Sequence, residues 1–213
     1  MSAIFKEIEY QNKINYDSNW FWDIIKFQKK ELFKKIIIAN TGKRYDFSFE
    51  WNEKYFSDIS KFIETEIFKK DILTIDNYKK LYKLIFSSFH ESKNLWFRKV
   101  NITADVWWNI WKDTYSNYND IIKELEVIFS SYNNKNIPLF EKLYIITIKI
   151  LSKTHPFPNN NFLFISVFLD ILLVKNKFLP IWIKKTFKDN NLFLPNENIF
   201  YKIILLRYKE YSY

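Results

Sequence analysis

The densest chemistry in this chain sits in seven residues, His155-Pro156-Phe157-Pro158-Asn159-Asn160-Asn161. A neutral imidazole near its ordinary pKa of about 6.5 can take a proton from an attacking hydroxyl. If a helix begins just after the histidine, its first N–H groups are unpaired donors carrying partial positive charge, which suits a phosphate. The same residues also have a plainer reading. Pro156 and Pro158 stop a helix, and the asparagines accept left-handed turn geometry in a chain with a single glycine, Gly42. Spacing alone leaves both readings open.

Other residues of chemical interest are few. His90 is an isolated histidine in a polar loop, and two histidines with no cysteine weigh against a zinc site of ordinary composition. We therefore expect no metal site. Trp107, Trp108 and Trp111 stand at i, i+1 and i+4, a pattern that serves a base or sugar platform but more commonly a core or an interaction patch.

These residues need elements to position them, and the spacing of apolar side chains predicts helices almost throughout. Trp20 to Ile36 repeats at three to four residues, and Gly42 then serves as a C-cap. Tyr45, Phe47 and Phe49 alternate as in a short strand, after which helical spacing returns from Trp51. Thr74 caps a helix to Ser88 with Tyr78, Leu81, Tyr82, Ile85 and Phe86 on one stripe. Leu95 to Ile102 predicts a short hairpin or flap, with helices following at Ala104–Tyr115, Asp120–Tyr132 and Pro138–Lys153. Phe140–Leu151 and Leu163–Val174 are apolar almost all round, so the seven-residue motif joins two buried helices.

Composition bounds the whole. At 213 residues, 48% hydrophobic and 21% aromatic, the chain fits one folded domain without a linker or repeat. The scarcity of glycine and alanine beside abundant Phe, Ile, Lys, Asn and Tyr points to AT-rich codons and a small parasitic, symbiotic or plasmid-like genome. The longest apolar run, 13 residues, is too short to span a bilayer, and the N-terminus lacks a secretory h-region, so the expectation is cytoplasmic with no membrane partner. The formal charge of +9 is compatible with nucleic acid, although the lysines are spread thinly as pairs.

The motif resembles the signature of the Fic/Doc (Fic domain) family, HPFx(D/E/N)GNGRxxR, and especially the subgroup reading HPFPNGNGRHAR. Leu81-Tyr82 with Leu84-Ile85-Phe86 is similar to that family's LHxxLF helix, and Trp96 to Ile102 to its WAGxFRxxNVxI flap segment. Phe168 to Leu173, then Pro180 and Trp182, resemble its ADLLLxxxGxPxxxW stretch. The likeness implies a mainly α Fic-like helical bundle with a small β-hairpin flap: a core at about 73–183, an N-terminal helical extension at 1–72 and a C-terminal helix at 197–211. It also implies roles. His155 would be the general base, Asn159 would stand where most members place a magnesium-binding carboxylate, Asn160 and Asn161 would line the phosphate loop, and Phe97 and Arg98 would belong to the flap.

Three positions depart from the signature. Phe162 replaces the second glycine, Leu163 the phosphate-contacting arginine and Ser166 the second arginine. A phenylalanine ring removes the clearance that lets backbone N–H groups approach a phosphate. Losing one preorganised arginine costs about 3 to 4 kcal/mol of transition-state stabilisation. No Lys or Arg lies between Lys153 and Lys175. Arg98 and Arg207 are the basic residues left to substitute, and for both a surface salt bridge is the plainer role. The expectation is a degenerate member that has lost standard AMP transfer and binds a protein partner, as an immunity or antitoxin protein of a selfish element would. The enzyme question stays open. An active chain would be a nucleotidyl- or phosphotransferase using ATP and magnesium with His155 on a protein hydroxyl, and a basic nucleic-acid binder is the third reading.

Overall fold

The computed structural model describes residues 3–18, 29–41, 53–87, 96–105, 112–181 and 197–210. They form eight α-helices and one pair of short strands. The order is α1 (Ala3–Ser18), α2 (Lys29–Thr41), α3 (Glu53–Phe62, continued as a π-turn over Ile63–Phe68), α4 (Ile75–Phe86), β1 (Thr103–Asp105) and β2 (Lys112–Thr114). Then come α5 (Ile121–Asn133), α6 (Leu139–Lys149, continued as a π-turn over Ile150–Thr154), α7 (Asn161–Lys175) and α8 (Glu197–Glu210). The fold is mainly α. Among the described residues no helix is long and apolar enough to cross a membrane.

Helix α7 is the axis. Every residue from Leu163 to Val174 is buried, as its all-round apolar sequence requires. Helices α2 and α6 pack against it, α5 packs on α6, and α1 lies against α8. The end of α7 turns through Lys177 at φ 64°, with the Phe178 N–H donating to the Leu173 carbonyl at 2.9 Å, so a lysine fills the left-handed place that glycine usually takes. Inside α7, Asp170 is fully buried. Its carboxylate accepts from Asn40 Nδ2 of α2 at 2.7 Å and from the Ile181 N–H at 2.7 Å, tying both neighbours to the axis.

Helix α4 forms as its sequence predicts. The Thr74 hydroxyl accepts from the Asn77 N–H at 3.1 Å, Asp76 sits in the first turn and Lys83 in the last, favourable at each end of the helix dipole. Tyr78, Leu81, Tyr82, Ile85 and Phe86 are all buried. Helix α5 and the α6–π segment likewise match their expected positions.

One helix expected from spacing is replaced by strands. At Ala104–Tyr115, Thr103 faces Thr114, Ala104 faces Asp113 and Asp105 faces Lys112 in an antiparallel ladder. The reason lies just outside it. The Arg98 guanidinium donates to both the Val100 and the Ser116 carbonyls, holding the two ends of the segment together. A helix over these residues would part them by roughly 16 Å. The expected hairpin at Leu95–Ile102 is accordingly displaced: residues 96–102 are irregular, and the ladder starts at Thr103. The Trp107, Trp108 and Trp111 cluster, His90 and the strand expected at 44–49 lie outside the described residues.

Candidate functional site

The motif loop hangs between the π-turn of α6 and the start of α7, fixed by three anchors. Phe157 is fully buried and its ring stacks face to face on Tyr82, 3.6 Å between centroids and 3° between planes, with Tyr78, Phe97 and Phe164 around it. Asn161, 2% exposed, clasps the same residue's backbone: its Oδ1 accepts from the Phe157 N–H at 2.9 Å and its Nδ2 donates to the Phe157 carbonyl at 2.6 Å. The Tyr82 hydroxyl donates to the Asn159 carbonyl at 3.0 Å. Two left-handed residues bracket this plug, His155 at φ 41° and Asn160 at φ 59°. For asparagine that conformation is cheap. For histidine it is unusual, and the surrounding bonds must sustain it.

Arg98 supplies those bonds. Only 3% exposed, it donates through Nε to the His155 carbonyl at 2.9 Å and through Nη2 to Thr154 at 3.1 Å, besides Val100 and Ser116. Its own N–H donates to the Pro156 carbonyl at 2.9 Å. Arg98 is therefore neither a phosphate contact nor a surface salt-bridge residue. It is a buried fork that fastens the motif to the base of the strand pair. Phe97 stands beside it against Phe157.

The imidazole of His155 is half-buried. Its Nδ1 is 3.3 Å from the Leu151 carbonyl, and in the tautomer that donates there the lone pair remains on Nε2. Burial pushes its pKa below the ordinary value, the Leu151 carbonyl opposes this, and nearby Arg98 lowers it further. The ring is neutral at pH 7 and chemically able to accept a proton. It also stacks on Tyr115, 4.2 Å between centroids, at the exit of β2.

A third layer locks that exit. The Ser116 N–H donates to the Lys153 carbonyl at 2.9 Å, and its hydroxyl donates to Glu124 Oε2. The Thr154 hydroxyl donates to the same oxygen at 3.0 Å, and Lys153 Nζ lies 3.2 Å from Oε1. Burial raises the Glu124 pKa, but these three donors outweigh it and hold the carboxyl below its ordinary value.

The residues present do not fit a magnesium-bound nucleotide phosphate. Leu163 is 5% exposed and Ser166 fully buried, its hydroxyl donating back to the Phe162 carbonyl at 2.8 Å, so the two positions where the resemblance places arginine face the core. Phe162 is half-buried and packs on the core as well. Both polar atoms of Asn161 are engaged, and of the three asparagines only Asn159 is exposed. Among the described residues no group of three or more metal-ligating side chains occurs. Arg207 belongs to α8, and its side chain lies outside the described residues.

The structure thus brings His155, Asn159, Asn160, Asn161, Phe97 and Arg98 together around one loop. Sequence reasoning missed Tyr115, Ser116, Glu124 and Asn40. Tyr115 was read as the end of a helix and Ser116 fell in the gap after it, and Glu124 is one acid among many on an amphipathic face. Asn40 meets Asp170 across a separation no local pattern reports.

No protein-family model matches the chain, and no curated protein matches it. Among solved structures it is similar to Fic-1 (residues 134–508) from C. elegans, with TM-score 0.68 and 11% identity over 98% of this chain and 71% of that one. A single-substitution form of the same region gives TM-score 0.64, also at 11% identity and with the same coverage. At that identity the likeness is one of fold: the chain has the mainly helical Fic fold.

Proposed function

We propose that this chain is a Fic-fold protein in which the phosphate loop has become a structural plug, and that it acts by binding a protein partner rather than by standard AMP transfer. The observation that carries this reading is the double clasp of Asn161 on Phe157, set beside the burial of Leu163 and Ser166. A loop that spends its amide on its own backbone, followed by a helix start that turns its side chains inward, has no groups left to bind a triphosphate through arginine. We take residues 73–183 as the Fic-like core, with 1–72 and the C-terminal helix as extensions of one domain. An immunity or antitoxin role in the cytoplasm of a host cell suits a chain of this composition.

One observation favours the enzyme reading: His155 is neutral, with its Nε2 lone pair available in the Nδ1–H tautomer. A transfer assay separates the two. Protein and host extract are incubated with α-³²P-labelled ATP, GTP, CTP or UTP and magnesium, beside a His155→Ala variant. No label that depends on His155 is expected. Label lost on His155→Ala would establish the transferase.

A further inference from the structure

A cleft of about 480 Å³ opens on the face formed by α4, residues 96–99 and the turn into α5. Its walls are aromatic and aliphatic. Trp96 is 53% exposed, Ile122 56% and Tyr118 39%, unusually high for large apolar side chains, with Phe97 set deeper between them. Its only basic side chains that reach solvent are lysines, Lys79 and Lys99, because the Arg98 fork is consumed by backbone carbonyls beneath. Among the described residues no carboxylate lines it.

The lysines are crowded as well as numerous. Lys83 Nζ sits 3.3 Å and Lys79 Nζ 4.2 Å from the centroid of the one Trp96 ring. The ring attracts each cation, and the two ammonium groups beside one indole repel each other. A carboxylate arriving between them relieves that repulsion. The indole would supply what interface centres are built around, a large rigid apolar anchor bordered by charge.

We propose that this cleft docks an acidic segment of a partner protein, with a large apolar side chain entering between Trp96 and Ile122 and flanking Asp or Glu side chains meeting Lys79, Lys83 and Lys99. The inference rests on the partner-binding reading and names the surface and the chemistry of the partner. Single-stranded nucleic acid fits the charge but not the walls. Base stacking along a strand uses successive aromatic faces, whereas the wall facing Trp96 is isoleucine. A second copy of this chain, itself at formal charge +9, is the poorer electrostatic match.

The test is selection of random 12-residue peptides, displayed on phage, against the immobilised full chain, followed by binding of the winning synthetic peptides. The expected winners pair acids with a large apolar residue. Their affinity falls about tenfold or more on Ile122→Asp and on Lys79→Glu with Lys99→Glu, changes at exposed or half-buried side chains that leave the helical circular dichroism unchanged. The proposal is overturned if no peptide is selected or if the winners bind these variants as well as the parent. It is also overturned if a single-stranded thymidine oligonucleotide binds instead and loses affinity in the same variants, or if sedimentation shows self-association abolished by Ile122→Asp. Failure here removes only this surface. Magnesium-dependent nucleotide binding would remove the partner-binding reading instead, and the two results are read in separate experiments.

Discussion

Asn161 and Arg98 show how polar side chains can be retained in a motif yet serve its architecture. The asparagine answers both backbone groups of Phe157, so Asn161→Ala leaves a buried N–H and a buried carbonyl without partners. At about 1 to 3 kcal/mol for each orphaned group, we expect a loss near 3 kcal/mol, measured by urea unfolding. A loss under about 0.5 kcal/mol would mean that the clasp is not formed. His155 makes a second prediction through its lowered pKa. Between its folded value and the ordinary one near 6.5 the unfolded chain binds more protons, so stability is complete above that ordinary value and is lost as pH falls toward the folded one. Stability curves of the parent and His155→Gln should run parallel above pH about 7 and converge as the pH is lowered toward 5. Parallel curves throughout would contradict the burial of the ring. Of this residue layer the sequence makes the histidine and the asparagines legible as a unit, but not what they bind, because an amide paired with backbone and an amide awaiting phosphate are the same letters.

At the scale of elements, α4 offers a matched pair of tests. Tyr82 donates to the Asn159 carbonyl, whereas the Tyr78 hydroxyl is buried among aromatic rings with no hydrogen-bond partner among the described residues. Tyr82→Phe should cost about 1 kcal/mol, and Tyr78→Phe should be neutral or stabilising by a similar amount. The same logic applies in α6 to Thr147, fully buried with a hydroxyl that has no partner among the described residues, where Thr147→Val should raise the melting temperature. Equal losses in the two tyrosine variants would refute the assignment. Helix α4 was legible because its cap and burial agree with periodicity over a dozen residues, and α7 because an apolar run of that length has to be buried. The strand pair was not. Its segment carries helical spacing, and what overrides it is a buried arginine gripping both ends, a contact between Arg98 and Ser116 that periodicity does not encode.

For the whole molecule, the Fic fold is present at 11% identity to Fic-1, and buried contacts, those of the motif's Phe157 and Asn161 among them, hold it together. Aromatic residues fill the space around Phe157, and Asp170 ties the central helix to α2 and to the segment after α7. The Asn40–Asp170 contact, spanning 130 residues, could not have been read from the chain, whereas the motif, its flanking helices and their order could. The proposed function turns on whether the loop serves packing rather than phosphate binding. Isothermal titration with ATP, GTP, CTP and UTP, each with and without magnesium, beside a His155→Ala control, tests it most directly. The account predicts no heat with any nucleotide, and micromolar binding that requires magnesium would contradict it.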